Sequence, residues 1–398
     1  MHLRIPVATL LFLIAFCTAP EMSRTTLRAA DSKTAQNATT LFELGEGKES
    51  EYGFRIPALA RTNAGTLLAF AERRLGLHDH AENDIVLRRS LDGGRSWQPL
   101  QIVAEAGGDS LNDPCVVVLD SGRILLRYTH FPKGVHARTT KHTVIAEPGY
   151  GGPKNVRLFL THSDDDGKTW SKPRDVTRDM RRKTAISVGS PGAALQLTRG
   201  PHQGRIVFPN YEVYHLGGDK RKSVNSVSYS DDGGATWKLS ETIAEPGPKG
   251  FGNEAQLAEL ANGGILLTAR DQEGGTFRKL SVSSNGGETW SPHRLATDLL
   301  TPQCMSSVMR YSWPNDQQTG VLLHTLPHTK DKRANGTIMI SRDEGKSWKP
   351  ARVIVPAGFE YSCLIRFPDG DIGCLYETDH CRSIDFQRLN AQTILGDQ

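Results

Sequence analysis

Six short hairpins in this chain begin or end on side chains able to do chemistry together. Their first strands start at Arg55, Asp113, Ser190, Glu254, a stretch from Gln303 to Ser306, and Tyr361; their second strands run out to Arg74, Arg270 and Glu377. The set is rich in arginine and carboxylate. If the hairpins surround one axis, these groups share a cavity, where a charge must be paired or await a charged ligand because unpaired buried charge is expensive. Several arginines imply an anion. A guanidinium fork meets a planar carboxylate through two parallel N–H donors, which is a reason to find Arg there and not Lys.

The elements that must position these groups come from two interleaved repeats. In the quieter one, a strand, a short glycine turn and a second apolar strand recur six times, with turn glycines at 65, 122, 204, 264, 320 and 370. These lie 57, 82, 60, 56 and 50 residues apart, the spacing of four-stranded blades arranged radially. The louder repeat is Ser-x-Asp-x-Gly-x-Thr/Ser-Trp. It stands at Ser90–Trp97, Ser163–Trp170, Ser230–Trp237 and Ser341–Trp348, with a variant at Ser283–Trp290 where Asn285 replaces the aspartate; five of the six tryptophans belong to it. Each copy follows an alternating strand and so reads as a hairpin turn joining a blade's third and fourth strands. Its aspartate accepts turn amides, its glycine supplies positive φ, and its tryptophan packs back on the sheet. The role is structural.

Long apolar stretches of helical period are missing, so the expected fold is all-β: one six-bladed β-propeller of four-stranded antiparallel blades over residues 31–398. The sixth blade has no tryptophan turn before the chain ends. A propeller must close, and Thr39 to Leu44 is expected to pair with the last blade.

Residues 1–30 read as a signal peptide, with Arg4 before an apolar run from Pro6 to Ala19 and cleavage after Ala19 or Ala30 equally defensible. That run is too short for a membrane span, and no later segment is longer, so the expectation is an exported protein, secreted or periplasmic, or lysosomal in a eukaryote. The formal charge of +4 falls closer to neutral without Arg4, Arg24, Arg28 and Glu21, which leaves nucleic-acid binding no electrostatic footprint. After export Cys115, Cys304, Cys363, Cys374 and Cys381 remain. Their odd number excludes a fully paired framework and their spacings give no metal pattern, so mostly buried thiols are expected, with room for one disulfide. No metal or cofactor is expected.

Phe54-Arg55-Ile56-Pro57, together with the five tryptophan turns, resembles the arginine motif and Asp boxes of the exo-α-sialidases (neuraminidases). The likeness continues through Ala69-Phe70-Ala71-Glu72, Ile85-Val86-Leu87-Arg88-Arg89 and Gly373-Cys374-Leu375-Tyr376-Glu377. Leu3-Arg4-Ile5-Pro6 matches the arginine motif by chance, within the leader. The resemblance implies hydrolysis of terminal α-linked sialic acid with retention, on sialylated glycans as partners, by a monomer. It assigns the triad that grips the sugar carboxylate to Arg55, Arg270 and Arg333, the nucleophile to Tyr361, and its activating base to Glu254. A neutral phenol suits this chemistry, because a carboxylate on the anomeric carbon repels an anionic nucleophile; sialidases depart in this way from the two-carboxylate rule of glycosidases.

The resemblance further places the general acid/base at Asp79, with Asp84 as the rival, in a loop that keeps the aspartate protonated. His78 and His80 read as polar loop residues. Arg74 and Asp113 take positions that contact the substrate near its carboxylate and 4-hydroxyl, and Glu377 braces Arg55. A trans-sialidase, including an intramolecular one, would use the same residues. A non-catalytic glycan- or protein-binding propeller would require this site to have decayed.

Overall fold

The computed structural model describes residues 38–45, 52–79, 81–218, 220–245, 251–272 and 274–396. The leader expected within residues 1–30, its cleavage points and His80 lie outside the described residues.

Six four-stranded units follow one another along the chain. Blade I is Tyr52–Arg61, Leu67–Leu75, Asn83–Ser90 and Gln101–Ala104, and blade II is Ser110–Val118, Ile124–Phe131, Arg157–Ser163 and Arg174–Asp175. Blade III is built on Ser187–Gly189, Ile206–Gly217, Lys220–Ser230 and Lys238–Leu239. Blade IV is Gly252–Glu259, Ile265–Asp271, Phe277–Ser283 and Arg294–Leu300, and blade V is Ser307–Ser312, Val321–Pro327, Ala334–Ser341 and Lys349–Gly358. Blade VI comprises Ser362–Arg366, Ile372–Thr378 and Ser383–Leu389, and its outer strand comes from the other end of the described chain: Ala38–Glu43 pairs antiparallel with Ser383–Leu389, Thr39 opposite Phe386. The expected closure is therefore present.

Successive residues of a strand point to opposite faces, and each blade buries both faces against its neighbours. In blade I, Leu67, Ala69 and Ala71 turn toward blade VI while Leu68 and Phe70 turn toward blade II. Six apolar clusters result, one in each gap between neighbouring blades. This is why the inner strands read as near-continuous apolar runs and not as simple alternation.

All five tryptophan turns join third and fourth strands, and their hydrogen bonds are those of the motif. In the first, Asp92 Oδ1 accepts from the Arg95 and Ser96 amides at 3.0 and 2.9 Å, and Ser90 Oγ accepts from Gly94 N at 2.8 Å. The tryptophans do more than cover their own sheet. Trp97 of blade I meets Phe386 of blade VI edge-on, and Trp170 of blade II meets Phe70 of blade I, so each wedges between blades.

Two local features depart from a regular propeller. The inner strand of blade III is broken: Gly192–Ala193 leaves it to pair in parallel with Cys115 and Val116 of blade II. Pro191 offers no amide to a ladder. Gly192 sits at φ 103°, and a Cβ there would come within 2.7 Å of Met305 Cε. In addition, the hairpin Ile206–Gly217/Lys220–Ser230 is longer than its counterparts, and a 25-residue excursion between the second and third strands of blade II carries two short parallel strands, Val135–His136 and Val144–Ile145. Both lie toward the cavity described below.

The helices of the described residues are short, Thr177–Met180 and Ala391–Leu395, and none is long and apolar enough to cross a membrane. The five cysteines among the described residues are free; four are buried and Cys381 is half-buried.

Candidate active site

The inner strands deliver their side chains through bulges. Pairing slips between Arg55 and Ala58 in blade I, between Asn112 and Cys115 in blade II, and between Gly252 and Ala255 in blade IV. A bulge re-aims a side chain at the cost of ladder bonds. At the first two the backbone turns left-handed, with φ 61° at Ile56 and 56° at Asp113. For a β-branched residue such as Ile56 this costs on the order of 1–3 kcal/mol and persists only where the surroundings impose it. A buried glutamate does so in both cases. Glu377 Oε1 of blade VI accepts from Ile56 N at 2.7 Å, and Glu72 Oε1 of blade I accepts from Asp113 N at 2.7 Å.

The same glutamates hold arginines. Arg55 donates from Nε and Nη2 to the two oxygens of Glu377 at 2.8 and 3.2 Å, which is the brace expected of Glu377. Burial disfavours the guanidinium charge, yet Glu377 more than restores it and raises the pKa of Arg55. Arg333 donates to Glu360 at 3.0 Å and to the Gln303 carbonyl at 2.9 Å. Cys381 lies behind, its Sγ 2.8 Å from the same Glu360 oxygen.

These arginines face Tyr361. The tyrosine hydroxyl donates to Glu254 Oε1 at 2.5 Å and accepts from Arg270 Nη1 at 2.9 Å; Arg270 also reaches Glu254 Oε2 at 2.9 Å. The guanidinium carbons of Arg55 and Arg333 stand 5.7 and 5.3 Å from the tyrosine ring centre. Burial and the Glu254 charge raise the phenol's pKa well above its ordinary value, against the pull of Arg270 and Arg333. Tyr361 is therefore a neutral phenol already hydrogen-bonded to a base.

On the opposite side Arg74 is almost fully buried. It donates to Glu72 at 2.7 Å, to the Leu77 carbonyl at 3.1 Å and to Asp79 Oδ1 at 2.9 Å, so it serves first to anchor the Asp79 loop. Asn112 Nδ2 adds a bond to the Asp79 carbonyl at 3.3 Å. Asp79 Oδ2 accepts from Arg138 at 2.6 Å. This corrects one expectation: the loop does not keep Asp79 protonated. Burial raises its pKa, but the guanidiniums of Arg74 and Arg138 outweigh burial and hold the carboxyl far below the usual range. Asp84 pairs with Arg73 at 2.7 Å and is not among the cavity's lining residues. Asp113 accepts from Tyr211 at 2.9 Å, and burial with the nearby Glu72 and Glu254 charges pushes it up to about 8 against Tyr211 and Arg74.

Arg55, Arg74, Asp79, Asp113, Glu254, Arg270, Arg333 and Tyr361 all line one cavity of about 770 Å³, with Glu377 buried beneath Arg55. Such a cavity can take a small anion-bearing molecule and offers a hydroxyl–carboxylate pair for nucleophilic attack, with a second carboxyl across the space for proton transfer.

A model of the BNR repeat-like domain matches residues 65–374. The chain is 30% identical to a sialidase of Micromonospora viridifaciens over 92% of its own length, and spans 57% of that protein. It is 30% identical to sialidase-2 of Mus musculus, covering 87% of this chain and 93% of the mouse protein. This chain belongs to the sialidase family. Among solved structures the Hadza microbial sialidase Hz136 superposes with a TM-score of 0.77 at 26% identity, over 90% of this chain and 69% of that one.

Against this sialidase frame, several positions went unread in the sequence. Glu72 had a signal: it lies seven residues after its hairpin glycine, Gly65, as Glu377 does after Gly370. Tyr211 stands at the same offset from Gly204. In blades VI and I position seven of the second strand thus faces the bulge of the next blade, whereas Tyr211 of blade III reaches back to Asp113 of blade II; reading the offset would have found both Glu72 and Tyr211. Glu360 and Arg138 carried no comparable mark.

Proposed function

We propose that this chain is a retaining exo-α-sialidase that removes terminal sialic acid from glycoconjugates through a sialyl-tyrosine intermediate. The observation that carries the reading is Tyr361, hydrogen-bonded to Glu254 and faced by three arginines. Arg55, Arg270 and Arg333 hold the carboxylate on the anomeric carbon. The Tyr361 oxygen bonds to that carbon as its proton passes to Glu254, and the glycosidic bond breaks with its electron pair on the leaving oxygen, which takes a proton from Asp79. Water, losing a proton to Asp79, then attacks the same carbon, and the phenolate leaving it recovers the proton from Glu254. Two displacements retain the anomeric configuration. Because Asp79 is held ionised in the free protein, it must take up a proton as substrate displaces one of its guanidinium partners. The apolar run Pro6–Ala19 supports export as part of this reading.

The test is turnover of an α2,3-sialyllactose by wild type and Tyr361→Phe, with products separated in the presence of excess lactose. Free sialic acid with retained configuration, and a loss of about a thousandfold or more in the Phe variant, are expected. Transferred sialoside or a 2,7-anhydro product would instead make this a trans-sialidase, and full activity in the variant would remove Tyr361 from the nucleophile's role.

A further inference from the structure

Beyond Asp79 the cavity continues along a wall that the reaction above does not use. It is made by the blade II excursion and the long blade III hairpin, and it is basic: Arg138, Lys220, Arg221 and Lys222 all line it. Arg221 has an unusual set of neighbours. Its guanidinium donates to the Ala137 carbonyl at 3.3 Å, and among the described residues no carboxylate pairs with it. Burial and the charge of Arg138 both lower its pKa, against a smaller opposing effect of Tyr211. Two residues on, and so on the same face of the strand, Ser223 is 5% exposed and lines the same cavity; its Oγ has no hydrogen-bond partner among the described residues. A buried hydroxyl left unpaired is costly unless a ligand completes it, and the Arg221 guanidinium on the same strand face, bonded to one carbonyl, keeps further donors for such a ligand.

The position of this wall follows from Asp79. If Asp79 protonates the glycosidic oxygen, the departing sugar lies next to Asp79. Asp79 accepts from Arg138, and Arg221 donates to the carbonyl of Ala137, the residue before Arg138, with both arginines lining the cavity. Phe131, stacked on His136 at 5.0 Å between ring centres, borders the same space with an aromatic surface.

We propose that Arg221 and Ser223, with Arg138 beside them, form a second anion subsite on the leaving-group side, which takes a carboxylate or sulfate carried by the sugar next to the one removed. The inference rests on the sialidase reading and deepens it by naming the substrate class: glycans with an anionic penultimate sugar. An anion bound here also competes with Asp79 for Arg138, so the right leaving group loosens the contact that keeps Asp79 ionised.

The experiment compares kcat/KM on two matched pairs: α2,3-sialyllactose with its galactose-sulfated form, and an α2,8-linked disialoside with the analogue whose reducing-end carboxylate is an amide. The anionic member of at least one pair is expected to be cleaved about tenfold better, as for one charge-assisted hydrogen-bonded contact. Preference within the sulfate pair alone assigns the site to sulfated glycans, and within the carboxylate pair alone to disialosides. Arg221→Gln should bring that ratio close to one, Ser223→Ala should lower it a few-fold, and salt should erode it in wild type. Equal rates within both pairs, or a ratio untouched by Arg221→Gln, would overturn the subsite while leaving the sialidase reading intact. No turnover of any of the four would overturn that reading and the subsite with it.

Discussion

On one wall of the cavity Arg55 and Arg333 each have a buried carboxylate behind them, Glu377 and Glu360, and Tyr361 and Glu254 stand on or next to inner strands packed on both faces. On the other, Asp79 and Arg138 sit on loops, their side chains 39% and 48% exposed, held chiefly by each other and by Arg74. The first wall is over-determined: moving Arg55 takes the ion-pair partner from the buried Glu377, and moving Glu254 takes it from Arg270. The second can rearrange at small cost. Under the proposed reaction, a fixed wall suits the part of a substrate that never changes, the carboxylate-bearing sugar, and a movable one suits the leaving group, which varies.

The sharpest way to break this contrast is Asp79→Asn. It should cost about a thousandfold in kcat/KM on sialyllactose but only about tenfold on an aryl sialoside, whose leaving group scarcely needs a proton. Equal losses on both would mean that Asp79 holds the substrate and does not protonate it. Glu377→Gln tests the rigid wall. It removes one charge from a buried pair, and unfolding by denaturant should show stability lower by about 3 kcal/mol. The loosened Arg55 should raise KM by about tenfold with kcat less affected, as for lost ground-state binding. A variant as stable and active as wild type would show the wall is not over-determined.

The smallest effect, Arg138→Gln, separates the walls by pH. In the proposed reaction Asp79 acts when protonated, and the two guanidiniums depress its pKa. Removing Arg138 raises that pKa, so the acid form survives to higher pH and the basic limb of kcat/KM should move upward, where an unmoved or lowered limb would detach Arg138 from Asp79.

One wall is much more legible in the sequence than the other, for physical reasons. The glycine-marked hairpins fix the blades, and because inner strands converge on the axis, the order of residues alone groups Arg55, Asp113, Glu254, Arg270, Tyr361 and Glu377. Closure by the first strand followed from the missing fourth strand of blade VI. Arg333 came from family resemblance alone, because it stands in the loop just before its strand and no periodicity marks it. The ionisation of Asp79 was misread because Arg74, the partner that lowers its pKa most, was read as a substrate contact, and its second partner Arg138 lies 59 residues away in an excursion whose path no local pattern specifies. The broken inner strand of blade III was likewise unreadable, since Gly192–Ala193 leaves its own blade to pair with Cys115 and Val116, far along the chain.

The central claim, that the rigid wall presents a nucleophilic tyrosine to a gripped carboxylate, is met most directly by trapping the intermediate. Incubation with a 3-fluorosialosyl fluoride, which forms the covalent species faster than water removes it, followed by peptide mass spectrometry, should place one fluorosialyl group on Tyr361. Attachment to Glu254 or Asp79, or turnover with no adduct at all, would contradict the account.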